Sequence, residues 1–204
     1  MISLPRLYAI ADASFGNPVE ISRSLFAGGA RLVQIRNKNG GARELLAQVE
    51  AVLRFAPPDA RVIVNDRADI ARLAGAAGVH LGQDDLPPGP AREILGPDSI
   101  VGLSTHSLAQ ALAADSMPVD YVAVGPIYPT SSKQNPDPVL GLEPLIEICR
   151  KVKKPVVAIG GITLERAGDV LRTGACGMAV IGDLLKAPDI EARTRAWSDV
   201  ILNL

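Results

Sequence analysis

Residues 119 to 133 read Val119-Asp120-Tyr121-Val122-Ala123-Val124-Gly125-Pro126-Ile127-Tyr128-Pro129-Thr130-Ser131-Ser132-Lys133. An apolar, β-branched run stops at Gly-Pro, and the loop beyond it carries three successive hydroxyls and an ammonium. A run that is apolar without strict alternation is the pattern of a parallel strand buried on both faces. Hydroxyls and a lysine beside a turn suit phosphate oxygens, which accept short charge-assisted hydrogen bonds. Taken alone, the loop reads equally well as a solvated Ser/Thr-rich turn. The phosphate reading gains because the same layout, apolar strand then chemically loaded loop, recurs along the chain.

Short strand-type runs at 6–11, 31–36, 61–65, 78–81, 100–104, 119–124, 155–160 and 177–181 alternate with stretches rich in Ala, Leu, Glu and Arg, apolar at helical spacing. Gly28-Gly29 and Gly174 mark helix ends, and Thr163 stands where it would cap a helix over 164–173. Strict alternation of eight strands and helices predicts an α/β fold, a (β/α)8 TIM barrel, with an open doubly wound sheet as the alternative. Nothing resembling a linker or low-complexity tract divides residues 1–204, so a single domain is expected.

The composition narrows the function. With 204 residues, 48% hydrophobic and a net charge of −1, the chain can bury a sizeable core. Neither a basic face nor stacking platforms are expected from 3% aromatics and a near-neutral charge, which argues against a nucleic-acid partner. No apolar run approaches the ~20 residues of a membrane helix, and Met1-Ile2-Ser3-Leu4-Pro5 lacks the pattern of an export signal; a cytoplasmic protein is expected. Cys149 and Cys176 fall in a predicted helix and before a predicted strand, which suits reduced packing thiols. An anionic ligand must then be held by a local site.

In such a barrel the site is built from the loops after the C-terminal strand ends, and there the unusual residues collect. Gln34, Arg36 and Lys38 alternate at the end of the second run, so all three project to one side; facing the axis, an amide and two cations would hold a polar heterocycle and its phosphates. Asp66 and Asp85 end adjacent runs, with Asn65 and Gln83 beside them. Two carboxylates with phosphate oxygens and water form a shell suited to Mg²⁺. Singly, Asp66 could cap a helix with Asp69 in its first turn, and Asp85 could shape the turn before Leu86-Pro87-Pro88; Asp84 competes with Asp85 as ligand. Ser104 and Thr105 could open a helix, while His80 and His106 read better as structural histidines than as bases. Gly160-Gly161 and Gly182 match the common barrel phosphate site, where backbone N–H groups hold the anion. No catalytic triad, Cys/His pair or thiolate metal spacing stands out. Two phosphate regions and a divalent ion without a protein nucleophile suit displacement of a diphosphate by a second substrate that brings its own nucleophile.

Those residues carry a resemblance. Leu7-Tyr8-Ala9-Ile10, Gln34-Ile35-Arg36-Asn37-Lys38, Val64-Asn65-Asp66-Arg67, Val79 through Asp85, Gly102 through Ser107, Gly125 through Lys133 and Ala158 through Ile162 are together similar to the thiamine-phosphate synthase family over nearly the whole chain. The resemblance implies a (β/α)8 barrel joining a hydroxymethylpyrimidine diphosphate to a thiazole phosphate, with loss of diphosphate by a dissociative path. It implies that Gln34, Ile35, Arg36, Asn37, Lys38, Asn65, Ser104 and Lys133 bind the pyrimidine diphosphate, with Arg36, Lys38, Ser104 and Lys133 catalytic. It further implies that Thr130, Ser131, Ser132, Gly161, Ile181 and Gly182 bind the thiazole phosphate, and that Asp66 and Asp85 hold Mg²⁺. Ser132 stands where the family often has Thr, and Gly182 where it commonly has Ser, at a cost of about 1 kcal/mol for one neutral hydrogen bond. A thiazole tautomerase on the same barrel, which handles no diphosphate, and a non-catalytic phosphate-ligand binder are the rival readings; a homodimer is a further expectation.

Overall fold

The computed structural model describes residues 3–130 and 137–202. Eight parallel strands close into a barrel in sequence order: β1 (Leu7–Asp12), β2 (Leu32–Arg36), β3 (Arg61–Asn65), β4 (Gly78–Leu81), β5 (Ile100–Thr105), β6 (Tyr121–Val124), β7 (Val156–Ile159) and β8 (Gly177–Val180). The expected runs agree with these to within one or two residues. Helices follow the strands: α1 (Pro18–Ala27), α2 (Ala42–Leu53), α3 (Ala68–Ala74), α4 (Pro88–Leu95), α5 (Leu108–Asp115), α6 (Leu142–Lys151), α7 (Ala167–Arg172), α8 (Gly182–Leu185) and α9 (Ile190–Leu202). The stretch expected to be one helix from residue 164 opens instead as a 3₁₀ turn over Leu164–Arg166, with Thr163 at its N-cap but no capping bond from the side chain.

The strands look uniformly apolar because both of their faces are buried, yet the period of two is strict once the faces are separated. Leu7, Ala9, Val33, Ile35, Val62, Val64, Val79 and Leu81 point outward into a layer shared with the helices. Tyr8, Ile10, Leu32, Ile63, Ile100, Tyr121, Ala123, Val157 and Ala179 fill the barrel interior. Asn65, His80, Gly102 and Tyr121 are partners in register across β3 to β6, so chemistry written on four separate strands lies on one level. Register thus turns sequence alternation into a pocket floor.

Among the described residues, no helix is long and apolar enough to cross a membrane. The two cysteines are free, and burial pushes both thiols above their ordinary range.

Candidate active site

At the C-terminal ends of the strands opens a cavity of about 1020 Å³. Its walls come from every strand of the barrel, and Gln34, Arg36, Lys38, Asn65, Asp66 and Asp85 all reach it. The expectation that Gln34, Arg36 and Lys38 share one side is met.

Ile35 is a correction: one step out of phase with Gln34, it is fully buried in the layer between strand and helix and does not face the cavity. Asn37 organises its own loop, donating to Glu44 and Gln48 at 3.1 Å each and accepting from the Gly40 N–H. Its side chain faces a smaller cavity beside the main one. Ser131, Ser132 and Lys133 lie outside the described residues, while Thr130 lines the main cavity.

The cations are held by carboxylates. Arg36 donates through Nη1 to Asp12, whose side chain is 3% exposed. Asp12 is fixed in turn by the backbone N–H and hydroxyl of Ser14. Lys38 Nζ lies 3.2 Å from Asp66 Oδ2. Asp66 does not cap α3, where Arg67 holds the N-cap position; it sits in the left-handed region at φ +64, the one described non-glycine residue that does so. Such strain persists where surrounding structure fixes it, as at ligand sites. Its N–H donates to His80 O across the strand ends.

Asp85 combines the two roles weighed for it. Its carboxylate accepts from the Gly82 N–H at 2.7 Å, shaping the turn, and it meets Asp66 closely enough that burial and the Asp66 carboxyl together push its own pKa up. Two carboxylates pressed together are the electrostatic signature of a place that a cation would relieve. The donor set fits Mg²⁺: two hard oxygens, with the remaining positions left to water and phosphate oxygens. Among the described residues no group of three or more His, Cys, Asp or Glu converges into a full protein cage.

Opposite the aspartates the rim is glycine. Gly160 and Gly161 have φ of +98 and +63, and a Cβ on Gly161 would lie 2.4 Å from Pro129 O. Arg166 donates to Gly161 O at 2.7 Å and stacks over Tyr128 at 4.3 Å. Gly182 opens α8 with Ile181 at its N-cap. The next residue, Asp183, accepts from Arg193 and from Trp197 Nε1 at 2.6 Å, tying α9 to this rim.

Ser104 and Thr105 are β5 residues, not a helix start; Ser107 caps α5. The reason is register: Ser104 pairs with Ala123 of β6 and points inward. Its Oγ is 2.8 Å from His80 Nε2. His80 Nδ1 is 2.9 Å from the Tyr121 hydroxyl, the Tyr121 and Tyr8 hydroxyls are 3.0 Å apart, and Gln34 Nε2 is 2.8 Å from Tyr8. His80 is therefore the satisfied buried histidine expected, and burial pulls its pKa down to about 4. His106 is structural too, with Nδ1 2.7 Å from Gly125 O.

Asp12, Tyr8, Tyr121 and Arg166 escaped sequence reasoning. Tyr8 and Tyr121 are separated by 113 positions, and no local pattern announces such a contact. Asp12 was discoverable in principle, as a lone carboxylate ending the first strand.

A closed parallel barrel whose C-terminal mouth gathers cations, paired carboxylates and a glycine cradle defines a (β/α)8 enzyme that handles phosphorylated ligands. A family model for thiamine monophosphate synthase matches residues 7–184. The thiamine-phosphate synthase of Koribacter versatilis is 48% identical over 194 residues, covering 92% of each chain. That of Methanospirillum hungatei is 40% identical over 97% of this chain and 98% of its own. The solved structure of thiamine phosphate pyrophosphorylase from Pyrococcus furiosus superimposes with a TM-score of 0.89 at 38% identity, covering 97% of this chain and 96% of that one. The chain belongs to the thiamine monophosphate synthase family and is a transferase that forms thiamine phosphate.

Proposed function

We propose that the chain performs this synthesis by a dissociative, Mg²⁺-assisted substitution, in which a pyrimidine diphosphate loses diphosphate and a thiazole phosphate supplies the nucleophilic nitrogen. The observation that carries the reading is the convergence of Arg36, Lys38, Asp66 and Asp85 on one cavity mouth, with the Gly161 and Gly182 rim facing them. Arg36 and Lys38, already aligned by Asp12 and Asp66, meet the diphosphate oxygens and stabilise charge as it develops on the leaving group. Asn65, Gln34 and Ser104 orient the pyrimidine from the floor. Asp66 and Asp85 would hold Mg²⁺, which when bound supplies further positive charge to the diphosphate. Backbone at Gly161, Ile181 and Gly182, with Thr130, holds the thiazole phosphate. Ser131, Ser132 and Lys133 are assigned to the same ligands by family resemblance. Orientation of two substrates in one cavity then replaces a protein nucleophile.

The residues form one barrel domain over 1–204, working in the cytoplasm as a homodimer without nucleic-acid or membrane partners. Incubation of purified protein with both substrates, with and without Mg²⁺, tests the chemistry. Metal-dependent release of diphosphate with formation of thiamine phosphate is expected. Thiazole isomerisation without metal, or tight binding without product, would refute it. Sedimentation in solution tests the dimer.

A further inference from the structure

The barrel floor holds a continuous row of polar side chains, the buried Gln34, Tyr8, Tyr121 and His80 and the half-buried Ser104, every link between 2.8 and 3.0 Å. Its two ends line the cavity, as do Tyr8 and His80, but Tyr8 is only 1% exposed and Tyr121 is fully buried away from it. The arrangement is built in more than one way. His80 stacks on Tyr121 with ring centroids 5.6 Å apart and an interplanar angle of 19°, and Tyr8 meets Tyr121 edge-on at 5.9 Å. Gly102, the inward residue between His80 and Tyr121 in register, leaves the room the phenol occupies: a Cβ there would lie 2.3 Å from the Tyr121 hydroxyl oxygen.

Each hydroxyl and the neutral imidazole contributes one proton to this row. Two orders satisfy every group from within the row itself. In one, the Gln34 amide donates to Tyr8, Tyr8 to Tyr121, Tyr121 to His80 Nδ1 and His80 Nε2 to Ser104; Ser104 then offers its proton to the cavity and Gln34 its carbonyl. In the other every arrow reverses, so that Ser104 accepts from the cavity and Gln34 presents its NH₂. A mixed order strands a buried polar group without its partner, which is costly in a low-dielectric interior.

We propose that Tyr8 and Tyr121 are positioning residues that, through His80, lock Gln34 and Ser104 into opposite hydrogen-bonding characters, so that the floor recognises a heterocycle presenting a donor at one end and an acceptor at the other. This rests on the assignment of Gln34 and Ser104 to the pyrimidine substrate. The two ends act as one reading device although they never touch.

A double-mutant cycle tests it. KM and kcat for the pyrimidine diphosphate are measured for Gln34→Ala, Ser104→Ala and the double variant, first in the native background and then in Tyr121→Phe. Loss of either end frees the order of the row and so weakens the other end as well, so in the native background the double variant should fall short of the product of the single effects by about tenfold. In Tyr121→Phe, which keeps the ring and cuts the row, the effects should multiply. Tyr8→Phe cuts the row at another link and should do the same, and a thermal melt confirms folding of each. Large single effects that multiply in the native background, or coupling that survives both Phe variants, would overturn the proposal alone. Unchanged kinetics in both single variants would remove the pyrimidine assignment and this inference with it.

Discussion

Asp12→Asn perturbs the Arg36–Asp12 pair, which bears on stability and, on the proposed role of Arg36, on diphosphate binding. The substitution keeps the shape of the side chain and removes its charge, leaving the Arg36 guanidinium, whose side chain is 20% exposed, facing a neutral amide. Breaking a buried ion pair from one side costs about 3–5 kcal/mol. Arg36 retains access to water through the cavity, so the lower figure, about 3 kcal/mol, applies. For a chain of this length that lowers Tm by roughly 6–12 °C. Binding changes for a separate reason. With its anchor gone, Arg36 regains side-chain freedom worth at most ~2 kcal/mol, and part of this is lost again when diphosphate binds. KM for the pyrimidine diphosphate should rise about tenfold, the equivalent of roughly 1.4 kcal/mol. Differential scanning calorimetry and initial rates over a pyrimidine diphosphate series read the two effects. A lower Tm with unchanged KM would show that Asp12 serves the fold only; unchanged values of both would refute the pairing.

Gly161→Ala should cost ~2 kcal/mol, because the added Cβ meets Pro129 O at 2.4 Å in a left-handed conformation. It should raise KM for the thiazole phosphate while sparing that for the pyrimidine diphosphate, and rates varied in each substrate decide this. Asp85→Ala should abolish the metal-dependent rate with an unaltered circular dichroism spectrum; undiminished turnover would refute its assignment. His80 sets an acid limit on stability. Burial holds its pKa at about 4 in the folded chain against about 6.5 unfolded, so the unfolded state takes up the proton first. Stability present above pH ~6.5 should therefore fall as pH drops, by at most about 3 kcal/mol by pH ~4, with a slope no steeper than roughly 1.4 kcal/mol per unit. Urea midpoints across that range should show a flatter dependence for His80→Asn than for the native chain.

The architecture was legible because a strand covered on both sides must be apolar throughout and must end where glycine, proline or polar residues begin. That signal is local, and all eight strands carry it. Side-chain direction was legible only as a period of two. It placed Gln34, Arg36 and Lys38 together, and applied to their neighbour it would have put Ile35 in the outer layer; the family resemblance carried Ile35 into the site instead. Ser104 and Thr105 resemble a helix start in sequence because hydroxyls before an Ala/Leu-rich stretch look like caps. Pairing with β6 extended the strand and moved the cap to Ser107. Asp66 resembled a cap for the same reason, until its left-handed backbone and its pairing with Lys38 gave it another role. The floor row was invisible for a deeper reason. Its links join residues 24 to 113 positions apart, and only barrel closure brings them together.

The attachment of α9 gives the molecule an optical readout of its own. The chain has one tryptophan, Trp197, and its indole N–H is bound to the carboxylate that directly follows Gly182. Any anion settling on that glycine changes the field at the indole, so the ultraviolet emission of the unlabelled protein should track occupancy of one half of the cavity and stay silent to the other.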